Sequence, residues 1–211
     1  MNRWMYRAQI KTGQGSYFRK VLERVSEEWQ AALIQQGAVT CSLFAYEDML
    51  FVYIEAPFES TEWKWPAECQ DLLDAWPDRN GPTYQVLMPD VFHDGVVHEI
   101  QNVREQRRTE VRTGSLARLK PEMYSSYIYY HYQLQEEQRG SFNQTYMIGT
   151  NELYIFSYWE LPTMKDDIKR PGLLTTNHTP TNWHEVMAPH FITWPNTDEQ
   201  IWSKMEMWFS F

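Results

Sequence analysis

The pentapeptide YIEAP, Tyr53–Pro57, returns in the second half of the chain as YWELP, Tyr158–Pro162, which sets Glu55 opposite Glu160. Outward from these two segments, the flanking elements recur in the same order, and a repeat says more about a fold than any single motif. Upstream of YIEAP, MYRAQIK alternates apolar Tyr6, Ala8 and Ile10 with Arg7, Gln9 and Lys11, the two-residue period of a half-buried strand. Past TGQG, the residues Phe18, Val21, Leu22, Val25, Trp29 and Leu33 recur at three- and four-residue steps, which predicts a helix ended by Gly37. VTCSLFAY and MLFVYIEA then read as a hairpin turning at Glu47 and Asp48. A second helix is expected around PAECQDLLDAW and a strand around YQVLMPDVFH, bulged at Pro89. The order is β-α-β-β-α-β, the ferredoxin-like unit.

In the second half, LARLK matches RAQIK, and Pro121 presets the first turn of a helix expected from about Glu122 to Gln138 and capped by Gly140. SFNQTYMI and LYIFSYWE form the expected hairpin through Gly149, Thr150 and Asn151. A loop rich in Pro and Thr leads to a short helix around NWHEVM, and IWSKMEMWFSF closes the chain as an alternating strand. Tyr127 falls opposite Phe18 and His131 opposite Leu22, both at a separation of 109 positions, and Trp183 answers Trp76. A four-stranded unit of this kind covers one sheet face with helices and leaves an apolar face that a second sheet can cover. The sequence therefore predicts an α+β chain of two ferredoxin-like βαββαβ repeats packed sheet to sheet, closing into a barrel-like α/β sandwich within one polypeptide. Residues 1–95 are the first repeat, 96–113 a linker, and 114–211 the second repeat with the candidate site.

Composition narrows the function. With 211 residues, 43% hydrophobic and 16% aromatic, the chain can bury a sizeable core. A net charge of -9 opposes a phosphate backbone. The basic cluster Arg104, Arg107, Arg108 and Arg112 is interleaved with Glu105 and Glu110 and reads as a solvated linker. Cys41 and Cys69 lack a CxxC spacing and read as reduced core residues. The N-terminal MNRWMYRAQIKTG has no apolar segment of the signal-peptide kind, and no run approaches the length of a membrane span. The expectation is a cytoplasmic protein with no nucleic-acid or membrane partner, a monomer holding its own pseudo-dimer or a weak homodimer. The sequons at Asn143 and Asn177 matter only in a secreted chain. No P-loop, nucleophile elbow or dinucleotide fingerprint is present, and Pro189 separates His184 from His190, so no metal or cofactor is expected.

Several of these features together resemble the L-rhamnose mutarotase family of the dimeric α/β-barrel superfamily. They are the order of elements, the Pro121-x5-Tyr127-x3-His131 spacing, the glycine ending the first helix, the hairpins ending in YIEA and YWEL, and a Trp shortly before a Met or Pro. Members are usually single copies that pair, and this chain resembles two copies fused. The resemblance implies a pyranose site built from a Tyr and a His on the first helix, a Tyr on the second strand and a Trp pair at the second helix. It places Tyr127 and His131 in the catalytic positions. Trp183, Tyr146 and His184 take the substrate-binding positions, with His184 where the family has its second Trp and Thr145 as the alternative to Tyr146. The first half carries Phe18, Leu22 and Cys41 at the matching places and is expected to be empty.

Such groups suit anomer exchange, in which one proton leaves the anomeric hydroxyl while another reaches the ring oxygen. A histidine titrating near neutrality can serve either transfer. Tyr127, one helical turn before His131, lies on the same face. Trp183 offers a plate for the C–H face of a sugar, and Tyr146 or Glu160 can fix hydroxyls. Plainer readings stand beside each: Tyr127 and Trp183 as core, His131 as a satisfied histidine, and Glu160, which ends a strand in both halves, as structural. Two other functions fit the same fold: a non-catalytic small-molecule-binding protein, and a small monooxygenase or haem-binding barrel with His131 as an axial ligand.

Overall fold

The computed structural model describes residues 1–57, 63–106, 109–139, 142–164, 170–195 and 200–211. The chain forms two compact units, one of Met1–Met88 with Met205–Phe211, the other of Pro89–Lys204. The first contains β1 (Asn2–Gln9), α1 (Gly15–Gln35), β2 (Thr40–Tyr46), β3 (Met49–Ala56), α2 (Ala67–Gln70) and β4 (Val86–Leu87). The second contains β5 (Asp90–His93), α3 (Val97–Gln106), β6 (Val111–Leu119), α4 (Tyr124–Glu137), β7 (Gln138–Arg139), β8 (Met147–Asn151), β9 (Tyr154–Leu161), β10 (Arg170–Pro171), α5 (Trp183–Met187), β11 (Phe191–Ile192) and β12 (Ser203–Lys204). The last strand, β13 (Glu206–Ser210), belongs to the first unit.

The chain is thus α+β, with two main antiparallel sheets. Strand order is β13-β2-β3-β1-β4 in the first and β11-β6-β9-β8-β5 in the second, where β12 also pairs with β6. The expected barrel is corrected here: each sheet is open, because its two outermost strands pair with inner neighbours and not with one another.

Local chemistry explains the elements that match. Helix α1 buries Phe18, Val21, Leu22, Val25, Trp29 and Leu33, the set its periodicity marks. It stops at Gly37, whose φ of +90° suits a residue without Cβ and which packs against Pro57. The two long hairpins turn through Glu47 and Glu152, both in the left-handed region at φ 52°; the second turn thus lies beyond Gly149, Thr150 and Asn151, where it was expected, because those three pair with β9 as the end of β8. A 3-10 turn over Pro121–Met123 leads into α4, which buries Tyr127, His131, Gln133, Leu134 and Glu136. Its expected cap, Gly140, lies outside the described residues.

Other expectations give way. YQVLMPDVFH splits at Pro89, which has no N–H to give a ladder; β4 pairs with β1, and β5 pairs with β8 in the second unit. IWSKMEMWFSF splits likewise, β12 onto β6 and β13 onto β2. Residues 96–113 hold α3 and the start of β6 where a linker was expected. Arg104 in that range is ion-paired with Glu160, its side chain only 15% exposed, which corrects the solvated reading of the cluster; Arg107 and Arg108 lie outside the described residues. Of PAECQDLLDAW only Ala67–Gln70 is helical, since Leu73 bridges to Ile10 and Trp76 to Thr83. SFNQTYMI becomes strand only at Met147, because the Asn143 side chain ties its first residues into a turn.

The repeated glutamates occupy the same place in both sheets. Glu55 lies across from Arg3 and Glu160 across from Arg112. Each accepts a hydrogen bond from the tyrosine two residues before it, at 2.5 Å from Tyr53 and 2.7 Å from Tyr158.

Candidate functional site

Helix α4 lies over one face of the second sheet, and between them is a cavity of about 770 Å³. All five residues singled out from the sequence line it: Tyr127, His131, Tyr146, Trp183 and His184. Tyr127 and His131 come from successive turns of α4, Tyr146 from just before β8, and Trp183 and His184 from the start of α5.

His131 is 5% exposed. Its Nδ1 lies 2.9 Å from the Tyr127 carbonyl oxygen, which can only accept, so Nδ1 carries the proton and Nε2 keeps its lone pair. The ring lies 4.0 Å from that of Tyr127 and meets Trp183 edge-on at 5.0 Å. Burial pulls its pKa from the ordinary 6.5 to about 4, against the raising effect of the Tyr127 carbonyl, with nearby His190 adding to the fall. His131 is therefore neutral at pH 7 and can act as a base or a hydrogen-bond acceptor.

Tyr127 is fully buried, and its hydroxyl has no hydrogen-bond partner among the described residues. Burial holds this phenol well above its usual value, reinforced by Tyr146. Burial likewise pushes Tyr146 up to about 12, partly offset by the Ser157 hydroxyl. Both phenols stay protonated and can donate. Trp183 is half-buried, and His184 is exposed at the rim.

Of the alternatives Tyr146 and Thr145, Tyr146 lines the cavity. Thr145 is fully buried outside the cavity, donating from Oγ1 to Asn143 at 2.9 Å and accepting the Glu160 N–H at 2.8 Å. Glu160 does not line the cavity either. Burial works against its charge, but Arg104, Thr109 Oγ1 at 2.6 Å and the Tyr158 hydroxyl bind it and hold its carboxyl below the ordinary value. Its position is structural.

Sequence reasoning missed several lining residues, among them Phe92, Ser115, Ser157, Trp159 and Trp202. Phe92 was hidden because β5 follows Pro89 into the second unit. Ser115 and Ser157 become legible once the strands are paired, since they are cross-strand neighbours. The loop residues Thr179, Pro180 and Thr181 also line the cavity. Their loop is fastened to α4 by Glu137, which accepts hydrogen bonds from Thr176 Oγ1, His178 N and both the N and Oγ1 of Thr179.

The corresponding space in the first unit is filled. There Tyr6 packs edge-on against Trp63 at 5.1 Å, Trp29 stacks on Trp65 at 5.2 Å, and Phe18 and Leu22 occupy the places of Tyr127 and His131. Among the described residues, no group of three or more His, Cys, Asp or Glu is placed to hold a metal. Among those residues, too, no helix is long and apolar enough to cross a membrane.

No family model, curated protein or solved structure matches this chain.

Proposed function

We propose that the cavity of the second unit binds a reducing sugar, of the deoxyhexose kind, and interconverts its anomers in the manner of a mutarotase. The observation that carries this reading is the neutral His131, its Nε2 lone pair free, beside the unpartnered hydroxyl of Tyr127 in a cavity walled by Trp183. Its size lies in the range that holds a small molecule. In the proposed reaction Nε2 takes the proton of the anomeric hydroxyl, the bond from the anomeric carbon to the ring oxygen breaks, and Tyr127 delivers a proton to that oxygen. Rotation of the resulting aldehyde and reversal of both transfers close the opposite anomer. Trp183 would carry the C–H face of the ring. The reading of each unit as a ferredoxin-like repeat is supported by the strand orders β4-β1-β3-β2 and β11-β6-β9-β8 and by the paired glutamates.

A second reading, ligand binding without turnover, is favoured by the low pKa of His131, since a base best suited to neutral pH titrates near it. Two-dimensional exchange NMR on L-rhamnose, L-fucose, D-glucose and D-galactose separates the two. Anomer exchange above the spontaneous rate, lost in His131→Ala, supports the enzyme; binding with no acceleration leaves the binding protein. A spectral titration with haem tests the remaining alternative, in which His131 is an axial ligand.

A further inference from the structure

The two sheets share a pairing register around their buried Tyr-x-Glu segments, with Glu55 across from Arg3 and Glu160 across from Arg112, and this gives an internal comparison of what stands beneath each helix. In the first unit Val52 is flanked across the strands by Tyr6 and Leu43; in the second, Ser157 is flanked by Ser115 and Ile148. The first trio is part of a filled core, with Tyr6 meeting Trp63. All three residues of the second line the cavity. A large ring and a branched chain have been replaced by two small hydroxyl side chains on adjacent strands, and the hollow lies above them.

These serines are poorly explained as core. A buried hydroxyl adds no apolar contact and needs a partner. Ser157, 1% exposed, donates to the Ser115 carbonyl at 3.5 Å, at the outer edge of hydrogen-bond range. Such a proton is readily redirected to a better acceptor. Tyr146, which lines the same cavity, adds a third hydroxyl to the patch.

We infer that Ser115 and Ser157 form the floor of the ligand site and set its specificity: they admit the hydroxyl-bearing edge of a cyclic polyol, which Ser157 and Tyr146 bind by hydrogen bonds, at a depth a larger side chain would close. The inference rests on the sugar-site reading above and adds to it the residues that select the ligand. It also accounts for why the space above this register position is hollow in the second unit, whereas in the first Tyr6 and Trp63 fill it.

The test is saturation-transfer NMR and calorimetry with L-rhamnose, L-fucose, D-glucose and D-galactose on the full chain and on Ser157→Val and Ser157→Ala. Valine is the residue the first unit carries at this register position, so S157V is expected to melt within a few degrees of the parent. It should bind at least about tenfold more weakly, because it both fills the floor and removes the hydroxyl, while S157A, which keeps the space, should lose about fivefold. Binding by S157V at the parent's affinity overturns the floor and leaves the sugar site standing. Loss in S157V with none in S157A overturns the hydroxyl contact and with it the polyol as ligand class. Absence of binding by the parent to all four sugars overturns the site and this inference together.

Discussion

His131 donates its Nδ1 proton to the backbone carbonyl of Tyr127, the residue whose ring lies 4.0 Å from its own. One turn of helix thus fixes the tautomer, the orientation and the neighbour of the candidate base. This economy depends on the four-residue spacing in YSSYIYYHYQ and on burial of that face of α4.

The depressed pKa of His131 makes a stability prediction. The folded chain resists protonating this ring, while the unfolded chain takes up a proton near pH 6.5, so the contribution is complete above pH 6.5 and is lost as pH falls toward 4. The loss amounts to about 3 kcal/mol. Urea unfolding of the parent and of His131→Asn at pH 7 and pH 4.5 measures it: the gap between the two chains should move against the parent at the lower pH.

Tyr127→Phe separates folding from function. Its hydroxyl is buried without a partner, so removing it should leave the ligand-free protein as stable or more stable by about 1 kcal/mol. Anomer exchange should fall to the spontaneous rate. A melting curve and the exchange spectrum on one sample check both.

Glu160→Gln should destabilise strongly, by about 3 to 5 kcal/mol, because it strands the Arg104 guanidinium in a largely buried place. The parent carboxyl is held below its usual pKa, so its contribution is present above the ordinary carboxylate range and is lost as acid protonates it. Chemical denaturation at pH 7 gives the first value, and a pH series down to 4 gives the second.

Glu137 fastens the loop over Thr176–Thr179. Partial desolvation opposes its charge, yet the hydrogen bonds from Thr176, Thr179 and His178 outweigh this and hold the carboxyl at about 2. The fastening should therefore persist above pH 4.5 and fade only as pH falls toward 2. Glu137→Ala should speed amide hydrogen exchange at His178 and Thr179 at pH 7 while leaving exchange in β6 and β9 unchanged, as mass spectrometry of peptic fragments can show.

Much of this was legible in the residues. The helix α1 face, the two hairpins, the first turn at Glu47 and the matching of Glu55 to Glu160 follow from short-range periodicity and from a repeated segment. Tyr127, His131, Tyr146, Trp183 and His184, which the resemblance set around one site, all line one cavity. What escaped depends on long-range pairing. Pro89 looks like a bulge and Met205 like one more residue of an alternating strand, but each marks a change of sheet, a choice made by partners far away in sequence. Arg104 looked like one charge of a solvated run, and only the fold brings Glu160 to it. Asn143 stood in a strand-like segment, yet its side chain accepts from Thr145 and Met164 and donates to the Glu160 carbonyl, and a turn results.

The placement of β13 beside β2 bears on how the protein is made. During vectorial synthesis β2 emerges early, whereas the strand that covers its free edge, Glu206–Ser210, emerges on the order of 10 to 30 s later at ordinary translation rates. Throughout that interval the Ser42–Ala45 edge has no neighbour and is open to pairing with another nascent chain. Ribosome-bound intermediates stalled before residue 205 are where a chaperone would be most needed.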